Sequence, residues 1–540
     1  MPISPYDGYT AGSNWIRANQ PVVVDNITAL RALDKTKIKY ASTKGYYTPG
    51  DGGAGEYWYD SSDTTSTDNG GTIIKASDNG RWKLVVVGGK INVKLFGAKG
   101  ANVSTDDDTT FINNAIIYAQ NNGYAVYIPQ GTYYVSNILF GTQSTSGEST
   151  HPVGIYGDGW NTTLKARTGT SGIVFSAWST AGVNFEDFQI DGNNIATTCI
   201  DTSWKAGGGP TVQNRYKKIR CFGCTGTVWQ AKDNNDSVFD QCVISAASAS
   251  ICALDFVAAG GLGWIRDCIW NNGFLRAGWQ NGNIQNSWGM GIAFAQNSIN
   301  YVNIVGCYLY TNTNKNMVMW SESFASFQSI HSLVCEATQF IGTGTYYFDL
   351  NSYSTLDFFG CQFIGTCPTL FGTNCRADNF ATIKVMFRGG SAPGVLTLNT
   401  PSGYAIESSG FINDTTGYEF IKNYSGTFSP IVKGVTTAGT ATYSSQDGKW
   451  WREHNRVFFE MRVTCSGHTG TGALQIWGLP FTQATGNASA SVGYPGTTIT
   501  TPYVVGISSN VLQFYYYSGA SVQVVSSLDL IISGSYQVSA

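Results

Sequence analysis

Four short stretches carry the reading of the fold: Ile219-Arg220-Cys221-Phe222-Gly223, Asp240-Gln241-Cys242-Val243-Ile244, Arg266-Asp267-Cys268-Ile269 and Phe359-Gly360-Cys361-Gln362-Phe363-Ile364. Each sets a cysteine among variable and apolar residues, and Cys307 and Cys335 stand in similar surroundings. These six cysteines are separated by 21, 26, 39, 28 and 26 residues. Short strands recurring at that period, with Gly and Asn turns and no helix between them, are what a parallel β-helix requires. Each coil buries one side of its strands and stacks on the next, so one position per coil forms an internal ladder, filled here by cysteine. Disulfides between ladder members are not implied. The 39-residue gap contains Trp270-Asn271-Asn272-Gly273, Trp279-Gln280-Asn281-Gly282 and Trp288-Gly289. That stretch is polar and glycine-rich, which predicts a loop on the outside of the coils.

On either side of the repeat the pattern changes. Residues 1–88 predict a small first unit, with a short helix over Asn26–Leu33 and a Gly-rich hairpin from Gly45 to Trp58. Short strands at Gly71–Lys75 and Arg81–Val85 complete it, and its glycines read as turn chemistry. A β-helix region follows over 89–425. It opens with a helix in which Phe111, Ile112, Ala115, Ile116 and Ala119 recur at helical spacing, behind Asp106-Asp107-Asp108. Those aspartates are read as helix capping, since an N-terminus offers free N–H groups and a positive dipole end. Over 426–540, strands such as Arg456–Val463, Val511–Tyr515 and Leu528–Ile532 alternate between Gly, Thr and Ser turns, the pattern of an antiparallel β-sandwich.

The 540 residues carry 32 Lys and Arg against 35 Asp and Glu, a net charge of −3. That balance excludes a strongly basic nucleic-acid surface. No apolar run is long enough for a membrane-spanning helix, and a hydrophobic content of 42% excludes disorder. The opening MPISPYDGYT lacks the basic and apolar regions of a signal peptide, so synthesis without one in a host cytoplasm is expected. The 12 cysteines are then expected as reduced, small, buried hydrophobes. Cys221 and Cys224 form one C-x-x-C, but His151, His331, His454 and His468 stand singly. Neither a metal site nor a cofactor is expected.

Val93-Lys94-Leu95-Phe96-Gly97-Ala98-Lys99-Gly100, Thr105-Asp106-Asp107-Asp108-Thr109, the helix, and Tyr127-Ile128-Pro129-Gln130-Gly131-Thr132-Tyr133 together resemble the opening of the pectate-lyase-like right-handed β-helices. Ala101-Asn102 replaces that family's usual Asp-Gly. Residues 1–88 resemble the segment that precedes this β-helix in bacteriophage tailspikes, and the stretch from Gly426 to Phe481 is similar to tail-fibre terminal domains. The resemblance implies an all-β protein: a homotrimeric right-handed parallel β-helix with a small N-terminal domain and a C-terminal antiparallel β-sandwich. It further implies a tailspike in the virion tail, joined to other tail or baseplate proteins through its N-terminal domain. Its implied partner is a bacterial capsular or O-antigen polysaccharide, with no nucleic acid and no membrane insertion.

Glycoside hydrolysis needs two carboxyl groups, one to donate a proton and one to act as nucleophile or base. Counting back from the ladder cysteines, Asp255 lies 13 residues before Cys268, Glu322 lies 13 before Cys335, and Asp349 lies 12 before Cys361. These three are the candidate catalytic residues. In matching strands, Glu322 and Asp349 would sit about 5–6 Å apart on neighbouring coils, with Asp255 about 10 Å from Glu322. The nearer separation is that of a retaining pair, and like charges this close would keep one carboxyl protonated. Trp320 and Tyr347, each two residues before an acid, share its face and offer flat surfaces to sugar rings. Trp270, Trp279 and Trp288 are candidates for a sugar platform or for packing against a neighbouring subunit. His331 is a further substrate-binding candidate. Two other functions compete with the hydrolase. One is a polysaccharide lyase, which needs a base and cations to neutralise a uronate, and the coils from 300 to 365 hold few basic residues. The other is a trimeric receptor-binding adhesin without turnover.

Overall fold

The computed structural model describes residues 22–34, 36–141, 154–170, 172–204, 211–257, 261–295, 298–322, 329–350, 353–372, 383–393, 404–414, 424–453, 456–484, 488–494 and 503–538. Three parallel sheets run its central length. The first extends from Lys90–Asn92 to Tyr404–Ser409, the second from Gly131–Val135 to Ile412–Asn413, and the third from Ile138–Phe140 to Thr369–Phe371. Among the described residues they hold 13, 12 and 10 strands. Each strand pairs with its counterpart in the next coil, so the chain visits all three sheets in turn and forms the parallel β-helix expected from the repeat. Inward side chains stack in register: Phe185, Tyr216, Phe239, Ile265, Ile284, Ile304, Cys335, Phe358 and Phe387 follow one another in the first sheet, all buried. Rings in this column pack closely, with Phe358 and Phe387 at 5.0 Å and nearly parallel.

The corner between the first and second sheets explains the sequence repeat. In successive coils one residue takes the left-handed conformation: Asp187, Lys218, Gln241, Asp267, Asn286, Gly306, Ala337, Gly360 and Gly389, with φ between 46° and 65°. The residue after it points inward. Cys242, Cys268, Ser287, Cys307, Thr338 and Cys361 each donate to the carbonyl two residues back, at 2.8–3.6 Å. Each of those carbonyls already accepts one bond from the neighbouring coil, such as Lys218 N to Asp240 O at 2.9 Å. The side chain fills the second lone pair. The ladder therefore differs from the cysteine series. Cys221 lies within the second sheet between Ile190 and Ile244, and Cys335 lies within the first, while Ser287 and Thr338 occupy ladder positions.

The corner residues Asp267, Asn286 and Gly306 divide the 39-residue gap into two short coils, so the expected external loop is part of the helix. Its strands are Phe274–Gly278, Asn281–Gln285 and Trp288–Met290. The glycines that suggest a loop make room for indoles instead. Gly289 is the register partner of Trp270, and a Cβ there would fall inside the Trp270 ring; Gly263 and Gly282 flank Trp279 in the same way. Among the described residues the cysteines differ from expectation at one place. Cys199 and Cys224, neither in the ladder, form a disulfide across 25 residues, because successive coils bring Cys199 of the third sheet beside the corner that follows Arg220–Phe222.

Helix Thr109–Asn122 covers the first coils with Ile112, Ala115, Ile116 and Ala119 turned to the core. The three aspartates do not act together as caps. Asp107 accepts from Thr109 N at 3.1 Å, whereas the buried Asp108 carboxylate turns back to Lys99 N at 2.6 Å and Gly100 N at 3.2 Å. Asp106 pairs with Lys99. Upstream, five strands form a sheet in the order Val22–Val24, Tyr40–Thr43, Glu56–Asp60, Arg81–Leu84, Ile73–Lys75, and helix Ile27–Arg31 is capped by Asn26. This sheet has its own core around Tyr57 and Trp82, yet residues 1–420 form one compact unit and 421–540 a second. In the second unit the described strands make one antiparallel sheet of nine. It wraps around a core that includes Phe459, Leu512 and Ile532, and Tyr443 Oη accepts from Val432 N at 2.9 Å to join distant parts of the sheet.

Candidate active site

On the outward face of the third sheet, strand alternation sets the chemistry. In Cys252–Val257, Leu254 and Phe256 enter the core and Asp255 points away from it. In Phe274–Gly278, Leu275 and Ala277 are inside and Arg276 is outside; Ala293, Trp320 and Asp349 follow in the next three coils. Register joins them into one column: Gln230, Asp255, Arg276, Ala293, Trp320, Asp349. Glu322 lies beside this column, two residues beyond Trp320, where its backbone N–H donates to Phe294 O at 2.9 Å.

Arg276, absent from the sequence-based candidates, joins these carboxylates. Its Nε donates to Glu322 Oε2 at 2.8 Å, and its Nη1 lies 3.3 Å from Asp255 Oδ2. Asp255 also faces Lys232 Nζ at 3.4 Å. The chain Lys232–Asp255–Arg276–Glu322 thus alternates in sign. Burial pulls the Arg276 pKa down, but Asp255 and Glu322 more than reverse this and hold it above the ordinary arginine value. Small side chains allow the reach: Ala293 and Ala295, both buried, lie between Arg276 and Glu322 in the intervening coil.

The expected carboxylate stack is therefore rearranged. The partner of Asp349 is Trp320 rather than Glu322, and three coil steps separate Asp255 from Glu322. Loops of unequal length follow the third-sheet strands, so a count back from a cysteine does not preserve register. Asp349 is nine-tenths buried, and Gly372 of the next coil leaves space for its carboxyl: a Cβ there would meet Oδ1 at 2.6 Å.

The aromatic candidates divide. Trp320 stands on the carboxylate face but is only 5% exposed, its ring against Phe274 at 5.3 Å. Trp270, Trp279 and Tyr347 are core residues, and Tyr347 Oη donates to Ile364 O at 2.9 Å. With no accessible ring surface they cannot stack on a sugar or on another subunit. Trp288 is 40% exposed, but on the second sheet, beside Tyr308 and Tyr310. His331 lies in the first-sheet strand Ser329–Glu336, and its side chain is outside the described residues. Among the described residues no group of three or more His, Cys, Asp or Glu side chains could hold a metal ion, and no helix is long and apolar enough to cross a membrane.

Two families match this chain in succession. Residues 23–87 match the phage tail protein small four-stranded beta-sheet domain. Residues 90–322 match the family described as rhamnogalacturonase A/epimerase, pectate lyase-like. The N-terminal sheet thus matches a phage-tail domain, and the following coils to residue 322 match a pectate-lyase-like family. Solved structures similar to it include the enzymatically active domain of bacteriophage CBA120 tailspike protein 2, 12% identical, with 96% of this chain and 89% of that one covered and a TM-score of 0.47. The tailspike protein gp49 of Acinetobacter baumannii bacteriophage Fri1, a capsular polysaccharide depolymerase, is 11% identical over 96% of this chain and 98% of its own, with a TM-score of 0.44. For the tailspike protein of Acinetobacter phage vB_ApiP_P1 the values are 13%, 96%, 99% and 0.47.

Proposed function

We propose that this protein is a phage tailspike that binds and depolymerises a bacterial surface polysaccharide, capsule or O-antigen, by glycoside hydrolysis on the outward face of the third sheet. Its place is the virion tail, as a homotrimer attached through the N-terminal sheet domain. What supports the reading is a pectate-lyase-like β-helix joined to a phage-tail domain, with Glu322 and Asp349 both on the outward side of the third sheet. Two residues along the strand and one coil across separate them, which places their α-carbons about 8 Å apart. The Glu322 carboxylate turns back to Arg276 and that of Asp349 lies against Gly372 of the next coil. A lyase would need a free cation to neutralise a uronate. Both cations described on this face, Lys232 and Arg276, are already engaged by carboxylates, which favours the hydrolase.

The test is incubation with purified capsule or O-antigen from a susceptible host. New reducing ends without the ultraviolet absorbance of a new double bond are expected; that absorbance would mark a lyase, and intact but bound polymer an adhesin. Glu322→Gln and Asp349→Asn should each lower kcat about a hundredfold or more while polysaccharide binding persists. Full activity in both variants would remove the site.

A further inference from the structure

We infer that Arg276 is a positioning residue of this site, holding the Glu322 carboxylate in one orientation for its work on water, with Asp349 as the second carboxyl group. This rests on the hydrolase reading above. Arg276 grips Glu322 through Nε and Asp255 through Nη1, so its planar head is held at two edges and cannot rotate freely. Asp255 is anchored from the other side by Lys232. Of the two carboxylates in this chain of charges Glu322 is the more exposed, with 27% of its side chain open against 6% for Asp255. It is thus the member that can meet a water. The titratable and charged groups around Arg276 are Asp255 and Cys252 on the preceding coil, Lys232 behind Asp255, Glu322 two coils ahead and Asp349 one coil beyond that.

In the step this arrangement supports, Glu322 takes a proton from water as the water oxygen bonds to the anomeric carbon. The glycosidic C–O bond breaks and Asp349 gives its proton to the departing oxygen. One reducing end and one hydroxyl result, and solvent restores the two carboxyl groups to their starting states.

Without the guanidinium the Glu322 carboxylate loses the bond that orients it. Arg276→Gln should lower kcat about tenfold or more, with KM changing less. Arg276→Lys, which keeps the charge but not the fork, should recover only part of that loss. If Arg276→Gln does not fold, the double variant Asp255→Asn/Arg276→Gln removes both buried charges and permits the same measurement. An unchanged kcat, or a loss confined to KM, in a folded variant overturns the assignment of Arg276. Full activity of Glu322→Gln and Asp349→Asn overturns the site itself, so the two failures are distinguishable.

Discussion

At the corner between the first and second sheets, the inward side chain meets a carbonyl two residues behind it that has already accepted one bond from the preceding coil. A thiol or a hydroxyl can fill the remaining lone pair, which is why Cys242, Cys268, Ser287, Cys307, Thr338 and Cys361 are interchangeable in role. Cys268 has a second duty, because its sulfur accepts from Cys242 N at 3.4 Å. Cys268→Ser should therefore keep nearly the original stability. Cys268→Ala should lose about 1–3 kcal/mol, leaving a buried donor and a buried carbonyl short of partners. Thermal or urea unfolding of the two variants checks this, and equal losses would mean that packing alone sets the position. A search by cysteine detects such a ladder but also admits Cys221 and Cys335, which are buried for packing, and it passes over Ser287 and Thr338. The chemistry of the position is a small donor, and no single residue type stands for it.

The coil carrying Phe274–Gly278, Asn281–Gln285 and Trp288–Met290 shows the same difficulty in a whole element. Its composition is that of a loop because glycine serves there as the absence of a side chain. Trp270 and Trp279 fill the interior, and the facing glycines supply the volume. Hydrophobic periodicity cannot register a core position occupied by glycine, so the coil was hidden, and with it Arg276, the residue that links Asp255 to Glu322. Gly289→Ala should destabilise by about 1–3 kcal/mol, since the added methyl meets the Trp270 indole in a closed core. Placing Trp270→Leu in the same chain should recover part of that loss. A double-mutant cycle measures the coupling, and additive effects would show that the two positions do not compete for space.

Across the whole molecule, the order of N-terminal sheet domain, parallel β-helix and antiparallel C-terminal sheet was readable from turn chemistry and periodicity, because each relies on a pattern repeated over many residues. Which carboxylates meet was less so, since it depends on loop lengths between coils. The low charge content, 12% of the chain, follows from three long sheets whose inward columns are apolar. Part of the outward surface is apolar too. Val243, Ile269, Trp288 and Tyr308 succeed one another in register on the second sheet, and Trp288 and Tyr308 are each 40% exposed. Large apolar side chains arranged contiguously, rather than scattered, mark a surface that something covers. The homotrimer proposed for this protein supplies a cover that is present at all times, whereas a glycan would cover the column only when bound. Light scattering should give a particle of about 174 kDa, three chains of 58.1 kDa. Trp288→Ala with Tyr308→Ala should then lower the thermal stability of that particle or release single chains. A 58.1 kDa species in the unaltered protein removes the trimer; an intact trimer of unchanged stability that has lost polysaccharide binding assigns the column to the glycan instead.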